Sequence, residues 1–377
     1  MTNKQVFILL KTLQSFSTGW FFSIYVLWLI ANGLNLFQAN SLNVIYMSVT
    51  FALDAYTGKI ADVFGQRKIY VFGIICWGIS SFVNSAGSIY LVFAASEIFA
   101  AIGTALMSEA LESWLANTSE GEVAVASGMA TAGWLTAIVM IPSAVIGSWI
   151  GAVYGMKWPW IISGCSFLVE AMIAIYCLRR RSEGAHHRLA SKQIAILTTA
   201  KEIWRHLKLR RVVVFSFIFS LAIAPFNNFW PVVLKNFAGG ETWWFGMLWI
   251  PIAGAMAIGS ALSGKPKMQL WTVALLCGAP LILPTLAPAL MPTLVMVFVH
   301  EIGRGAIRPV IFRDFNRHVS AEKRSTMNSI RSSVGYLGSA TGLLLSGLAT
   351  FLVLPTQIWA ISALILVGLA WMVRRND

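Results

Sequence analysis

Apolar runs of spanning length alternate with short polar breaks along almost the whole chain. The runs fall at approximately 6–31, 39–61, 69–86, 89–113, 123–151, 158–178, 211–234, 243–262, 268–287, 290–312, 326–351 and 355–373. A helix needs roughly 20 mostly apolar residues to cross a bilayer, so the pattern predicts about twelve transmembrane helices. The shallowest breaks are near Gly87 and Ala287, where few polar residues intervene. One segment departs from the rhythm. Residues 179–211 are polar and basic, and within them Ile194 to Leu207 has an amphipathic helical pattern. That stretch is either a surface-lying helix or an ordinary connector. It divides the chain into a first half at 1–180, a linker at 181–210 and a second half at 211–377.

Composition agrees with lipid as the main solvent. Of 377 residues, 57% are hydrophobic and 11% charged, against about a quarter charged in soluble domains. The net charge of +13 would suggest nucleic acid in a soluble protein. Here the cations collect on one side of the predicted spans: Lys4, Arg67, Lys68, the 179–211 segment, Lys265, Lys267, Arg317, Lys323, Arg324, Arg374 and Arg375. The other side holds little beyond Lys157 and Lys235. This asymmetry places both termini in the cytoplasm and excludes a nucleic-acid partner. Cys76, Cys165, Cys177 and Cys277 all lie in apolar runs without metal-ligand spacing, so they read as core residues and no metal is implied. No cleavable signal precedes the first span.

The halves are weakly alike. "GKIADVFGQRKIYVFGIICWG" follows the second span and "GSALSGKPKMQLWTVALLCG" the eighth. "NTSEGEVAVASG" after the fourth is echoed by "HVSAEKRSTMNS" after the tenth. Such a six-plus-six repeat is a transporter layout.

Between the second and third spans, Gly58-x3-Asp62-x2-Gly65-x-Arg67-Lys68 resembles the signature loop of the major facilitator superfamily. The preceding Asp54-Ala-Tyr-Thr57-Gly58 resembles the lead-in of many bacterial members, with Tyr56 in place of Pro. Gln66 stands where Arg or Lys is usual, which weakens one expected salt bridge. The resemblance implies an all-α integral membrane protein of two six-helix bundles working by alternating access. It also implies a conformational gate at Gly58, Asp62, Gly65, Arg67 and Lys68, with Asp62 facing the start of the eleventh helix near Ser325 to Asn328. Arg67 and Lys68 would pair with cytoplasmic carboxylates. Glu109-Ala-Leu-Glu112-Ser-Trp114 resembles an acidic cytoplasmic-end pattern of relatives and adds Glu112 to the gate. The exporter motif Gly-Pro-x-x-Gly-Gly is degenerate on the fifth span: Pro142 is kept, Ile141 precedes it, and Val145-Ile146 replace the glycines. Gly147, Gly151 and Gly155 keep a four-residue spacing suited to close packing. The direction of transport is therefore left open.

Charges at bilayer depth are costly and functional by default. The tenth span carries His300, Glu301, Arg304 and Arg308. His300, Arg304 and Arg308 are spaced by four, which predicts one shared face, and Glu301 can pair with Arg304. Spans one, four, seven and ten line the cavity in the family, so this stripe is expected to meet substrate. Gln14, Tyr25, Asn227 and Asn228 add polar groups among aromatics on the first and seventh spans. Guanidinium groups favour carboxylate or phosphate, which together with the aromatics suits an amphipathic organic molecule with a negative group. Glu97, Glu170, Glu301 and Asp54 qualify as proton-coupling groups, because burial favours a neutral carboxyl. Glu170 is either a proton site or paired with a neighbour. Trp158, Trp160, Trp243 and Trp244, near span ends, read as interfacial anchors.

The expected protein is a proton-coupled exporter of a small organic compound, drug-like or a secreted metabolite such as a siderophore. It would be a monomer in the bacterial inner membrane and use no cofactor. Its partners would be the substrate, protons and the lipid bilayer. Proton-coupled uptake of an organic anion is the alternative, and a non-transporting receptor or lipid enzyme a third.

Overall fold

The structure, a computed structural model, describes residues 1–118, 122–179, 196–319 and 324–375. Within its helices the side chains of 54–59, 61–63, 108–109, 113, 116–117, 122–124, 126, 130, 196–198, 324–326 and 329 are not among those described. Each of the twelve expected runs is helical. The first is α1 (Asn3–Phe22) and α2 (Tyr25–Ala31), followed by α3 (Leu36–Phe64), α4 (Gln66–Ser85), α5 (Tyr90–Thr118), α6 (Glu122–Val153) and α7 (Lys157–Leu178). After α8 (Ile196–Arg205) come α9 (Leu207–Phe237), α10 (Trp249–Leu262), α11 (Leu270–Gly278), α12 (Leu283–Leu286), α13 (Leu290–Asn316), α14 (Arg324–Ala349) and α15 (Pro355–Arg375). Among the described residues, nine helices are long and apolar enough to cross a membrane, with Leu270–Leu286 a shorter apolar one. The more polar α3 and α14, at 29 and 26 residues, are also long enough to span.

Two runs predicted as single spans are broken. The first opens on a capping box, in which Thr2 Oγ1 accepts from Gln5 N and Gln5 Oε1 accepts from Thr2 N. It breaks at Ser23–Ile24, where Ile24 N bonds to Phe21 O at 3.0 Å before the helix restarts. In the ninth, Pro280 and Pro284 lack the N–H that an α-helix needs, and a 3-10 stretch, Ala279–Ile282, joins α11 to α12. The turn between α3 and α4 is the single residue Gly65, whose φ of +91° suits only glycine.

The chain divides into two compact units. One comprises Met1–Leu189 with Glu241–Trp249, the other Ala190–Gly240 with Ile250–Asp377. In the first, α1 packs on α6 and α7, and α4 on α5 and α7. In the second, α9 packs on α14 and α15, and α11 on α13 and α15. The same pairs recur at the same places in the sixfold order, so the weak sequence repeat corresponds to a repeated packing scheme. Helices in lipid gain little by hiding apolar surface from one another and rely on close approach. A Cβ on Gly147 of α6 would strike the carbonyl of Trp20 on α1, and one on Gly342 of α14 that of Leu221 on α9. The four-residue glycine series stops short of what its spacing suggested. α6 ends at Val153, and Gly155 forms the following turn at φ +105°.

Apolar side chains such as Phe72, Trp134, Leu168, Tyr176 and Trp371 remain exposed, as a lipid-solvated surface requires. Of the four tryptophans read as anchors, Trp158 and Trp243 are exposed, but Trp160 is buried. It stacks on Phe21 at 4.0 Å, because it follows Pro159 on the inward face of α7. Cys76 and Cys277 are core residues as expected, whereas Cys165 is exposed.

Gly342→Val is expected to lower the melting temperature of the detergent-solubilised protein, since forcing α14 from α9 costs about 1–3 kcal/mol. Gly368, with open space at its Cβ position, accepts the same change without a shift. Fluorescence-detected size-exclusion after heating compares the two.

Candidate functional site

In the first unit two carboxyls lie deep in the bundle, and each is held by hydroxyls. Glu97 of α5 is buried. Tyr25, in the first turn of α2, donates to its Oε1 at 2.8 Å, and Asn43 of α3 donates to the Tyr25 oxygen at 3.4 Å. Glu170 of α7 is also buried. Tyr70 of α4 lies 3.3 Å from its Oε1 and Ser17 of α1 3.3 Å from its Oε2. Among the described residues, neither carboxyl has an ion-pair partner. The groups hydrogen-bonded to Glu170 are neutral hydroxyls.

A partner of each carboxyl lies on the first span. Ser17 lies before the break at Ser23–Ile24 and Tyr25 after it. Aromatic rings fill the space beside that break. Phe21 stacks on Trp160, and Trp77 on Phe167 with centroids 5.5 Å apart. The first unit therefore carries two buried hydrogen-bonded carboxyls, whose partners lie on each side of a local discontinuity, with apolar rings packed at it.

In the second unit the polar group is on α13. Arg304 Nη1 donates to Glu301 Oε1 at 2.9 Å, the pair predicted from their spacing, with side-chain exposures of 32% and 3%. Glu301 Oε2 is buried without a hydrogen-bond partner. His300 lies deeper than Arg304. Its ring is fully buried, 4.0 Å from Phe226 of α9, with Nδ1 2.7 Å from the Cys277 carbonyl of α11. Arg308 is exposed. Four-residue steps overshoot the 3.6-residue turn by about 40° each, so the stripe winds from core to surface over two steps. The expected stripe therefore runs through a range of depths, from buried His300 to exposed Arg308. His300 is a packing residue here, and Arg304 is the member poised between interior and surface.

The remaining expected binding residues are scattered. Asn227 is exposed while Asn228 is buried, as neighbours about 100° apart on α9 must be. Gln14 is half-buried on α1. For the gate, Gly65 makes the α3–α4 turn and Arg67 Nη1 donates to the Leu178 carbonyl at 2.6 Å, at the C-terminus of α7 where partial negative charge collects. Lys68 is exposed. Glu112 accepts from Lys11 Nζ at 3.3 Å. Gln66 is buried, a place where a charge would be costly. Asp54, Gly58 and Asp62 lie in α3 but outside the described side chains, as does Ser325 in α14.

Reading the sequence missed Ser17, Tyr70 and Asn43 as partners, since hydroxyls and amides in a span carry no pattern of their own. It also missed Arg313, which donates to the Ser263 and Met268 carbonyls at 2.8 Å each and ties down the α10–α11 loop. Arg331, a charge inside the eleventh span and 5.9 Å from the Phe315 ring, had a visible signal and was passed over.

Arg304→Ala is expected to destabilise the protein by about 2–3 kcal/mol, because it leaves Glu301 charged, buried and unpaired. Adding Glu301→Gln should restore most of the loss. Melting curves of the single and double variants measure both.

Comparison with known proteins places this geometry. The family model described as Major Facilitator Superfamily matches residues 7–343. "Multidrug resistance protein 2" of Bacillus subtilis (strain 168) is 24% identical over 153 residues, which is 39% of this chain and only 38% of that protein's length. A POT family transporter in complex with a thioalcohol-conjugated peptide superposes with TM-score 0.79 at 13% identity, over 98% of this chain and 95% of that one. A bacterial homolog of the human lysosomal transporter Spinster, inward-facing and unoccupied, gives 0.76 at 13% identity over 99% and 94%. The nucleoside transporter NupG gives 0.75 at 12% identity over 100% and 99%. At such identities these structures share the fold alone.

Proposed function

We propose that this chain, which belongs to the Major Facilitator Superfamily and is therefore a multi-pass secondary transporter rather than an enzyme, moves a small amphipathic organic compound outward in exchange for protons. One observation carries the proton coupling. Glu97 and Glu170 are buried, and their hydrogen bonds come from Tyr25, Ser17 and Tyr70. Among the described residues no cation pairs directly with either group, so a carboxylate there bears most of its desolvation, whereas a protonated carboxyl is satisfied by a hydroxyl. A proton is thus the natural cargo of both groups. The placement of their partners on either side of the α1–α2 break supports a coupling in which loading one carboxyl re-sets the helix that serves the other. Asp54 and Glu301 are secondary candidates, Glu301 because Arg304 already balances its charge.

Arg304 and Arg308 support a substrate with a negative group, since exposed guanidinium groups bind carboxylate or phosphate bidentately. The name of the Bacillus subtilis relative supports export of drug-like compounds. The same two arginines favour the second reading, proton-driven uptake of an organic anion. In either case Gly58, Asp62, Gly65, Arg67, Lys68 and Glu112 act as the conformational gate, and the two bundles are at 1–180 and 211–377. The termini are cytoplasmic, the membrane is the bacterial inner membrane, and the working unit is a monomer.

The test uses proteoliposomes, an imposed proton gradient and a panel of amphipathic organic anions and dyes. Wild-type protein is expected to accumulate a substrate on the acidic side. Glu97→Gln should abolish gradient-driven accumulation yet retain substrate exchange without a gradient; accumulation equal to wild type rules out Glu97 as the coupling group. Accumulation on the alkaline side decides for uptake. Asp62→Asn should slow net transport while equilibrium binding stays unchanged, and undiminished flux would remove Asp62 from the gate.

A further inference from the structure

The cytoplasmic corner where α8 meets α9 carries a concentration of cations that neither the fold nor the transport mechanism uses. α8 is amphipathic. Thr199 and Ile203, four residues apart, are buried, and the helix packs on α9 and α14. Lys201 and Arg205, also four apart, are exposed on the opposite face. The chain then bends at His206, whose Nδ1 accepts from Leu209 N at 3.4 Å and starts α9. Lys201, Glu202, Arg205 and His206 line a hollow of about 410 Å³. The ring of His318, beyond the end of α13, lies 5.7 Å from that of His206, next to Arg317.

Among the described residues, cations outnumber carboxylates here. Among the described residues Lys201, Arg205, Lys208 and Arg317 form no ion pair, and Glu202 already has a partner of its own. His318 registers the excess. Its pKa is lowered by partial desolvation and by the charges of Lys208, His206 and Arg317, against the opposing pull of Asp314. Asp314 is itself engaged by Arg313 at 3.0 Å.

The position fixes the ligand's environment. α9 has 31 residues, about 46 Å of helix against roughly 30 Å of hydrocarbon, and exposed Lys208, Arg210 and Arg211 in its first turns favour that end at headgroup level. Trp204 and Leu207, 58% and 50% exposed, flank the hollow with apolar surface beside the cations, the pairing that seats a segment at a membrane interface.

We propose that this corner, formed by Lys201, Arg205, His206, Lys208, Arg317 and His318, is a binding site for the headgroup of an anionic phospholipid. The phosphate sits among the cations, while Trp204 and Leu207 rest on the adjoining lipid.

Purified full-length protein in mixed micelles, with native mass spectrometry of retained lipid, tests this. Wild type is expected to retain phosphatidylglycerol in preference to phosphatidylcholine. A Lys201→Gln/Arg205→Gln/Lys208→Gln variant should lose that preference by about fivefold for each charge removed. Lys265→Gln/Lys267→Gln, which removes exposed cations from another loop, should keep it. These side chains are exposed, so the melting temperature should stay unchanged. Undiminished preference in the triple variant overturns the site. Equal loss in the loop control overturns it too, by tracing the preference to overall surface charge. Displacement of the lipid by millimolar inorganic phosphate or by an acidic peptide would reassign the corner to a soluble ligand.

Discussion

A peptide group in hydrocarbon has no water to bond to, and every other feature of this protein follows from that. Each spanning segment must satisfy its own N–H and C=O groups, which leaves the helix as the only open-ended solution. At Pro280 and Pro284, where proline removes a donor, the chain takes a 3-10 step and resumes. Where the first span needs a change of direction, it breaks for a single step at Ser23–Ile24. The helices then need something other than hydrophobicity to hold them together. Close approach at Gly147 and Gly342 supplies it in matching places of the two units, where dispersion between backbones replaces burial from water.

The same scarcity of water gives the few polar groups their weight. Glu97 and Glu170 are tolerable inside the first unit because hydroxyls reach them, and the arrangement makes a proton the cheapest means of removing their charge. Glu301 takes the other route, a guanidinium partner that still touches the surface. One unit therefore holds carboxyls among neutral hydroxyls, and the other a carboxyl paired with a cation. The cations outside the spans have the opposite circumstance, with water and headgroups close by. They serve topology first, and at the α8–α9 corner their crowding exceeds what topology needs.

Much of the site chemistry was legible because it was local. Glu301 and Arg304 are three apart on one helix, and their pairing needs no knowledge of neighbours. The drift of His300 away from Arg304 was in principle legible too, since it follows from 3.6 residues per turn, but which edge of the stripe meets the core depends on where α9 and α11 lie. Trp160 looked like an anchor because it stands near a span end. Its burial against Phe21 is set by the rotation of α7 about its own axis, which short-range pattern does not encode in a helix apolar on all sides. Gly155 continued a spacing that the helix itself did not.

What the sequence determined by itself was the solvent, the approximate number and order of spans, and the presence of carboxyls within them. These depend on composition over windows of about twenty residues, and a bilayer of fixed thickness reads such windows directly. Tertiary structure alone decided which neutral hydroxyl each carboxyl would meet. Ser17 and Glu170 are 153 residues apart, Tyr25 and Glu97 72 apart. A serine or tyrosine in a span is compatible with facing lipid, a neighbour or a carboxyl. Only helix packing, set by a few close glycine contacts, brings one partner within hydrogen-bonding distance.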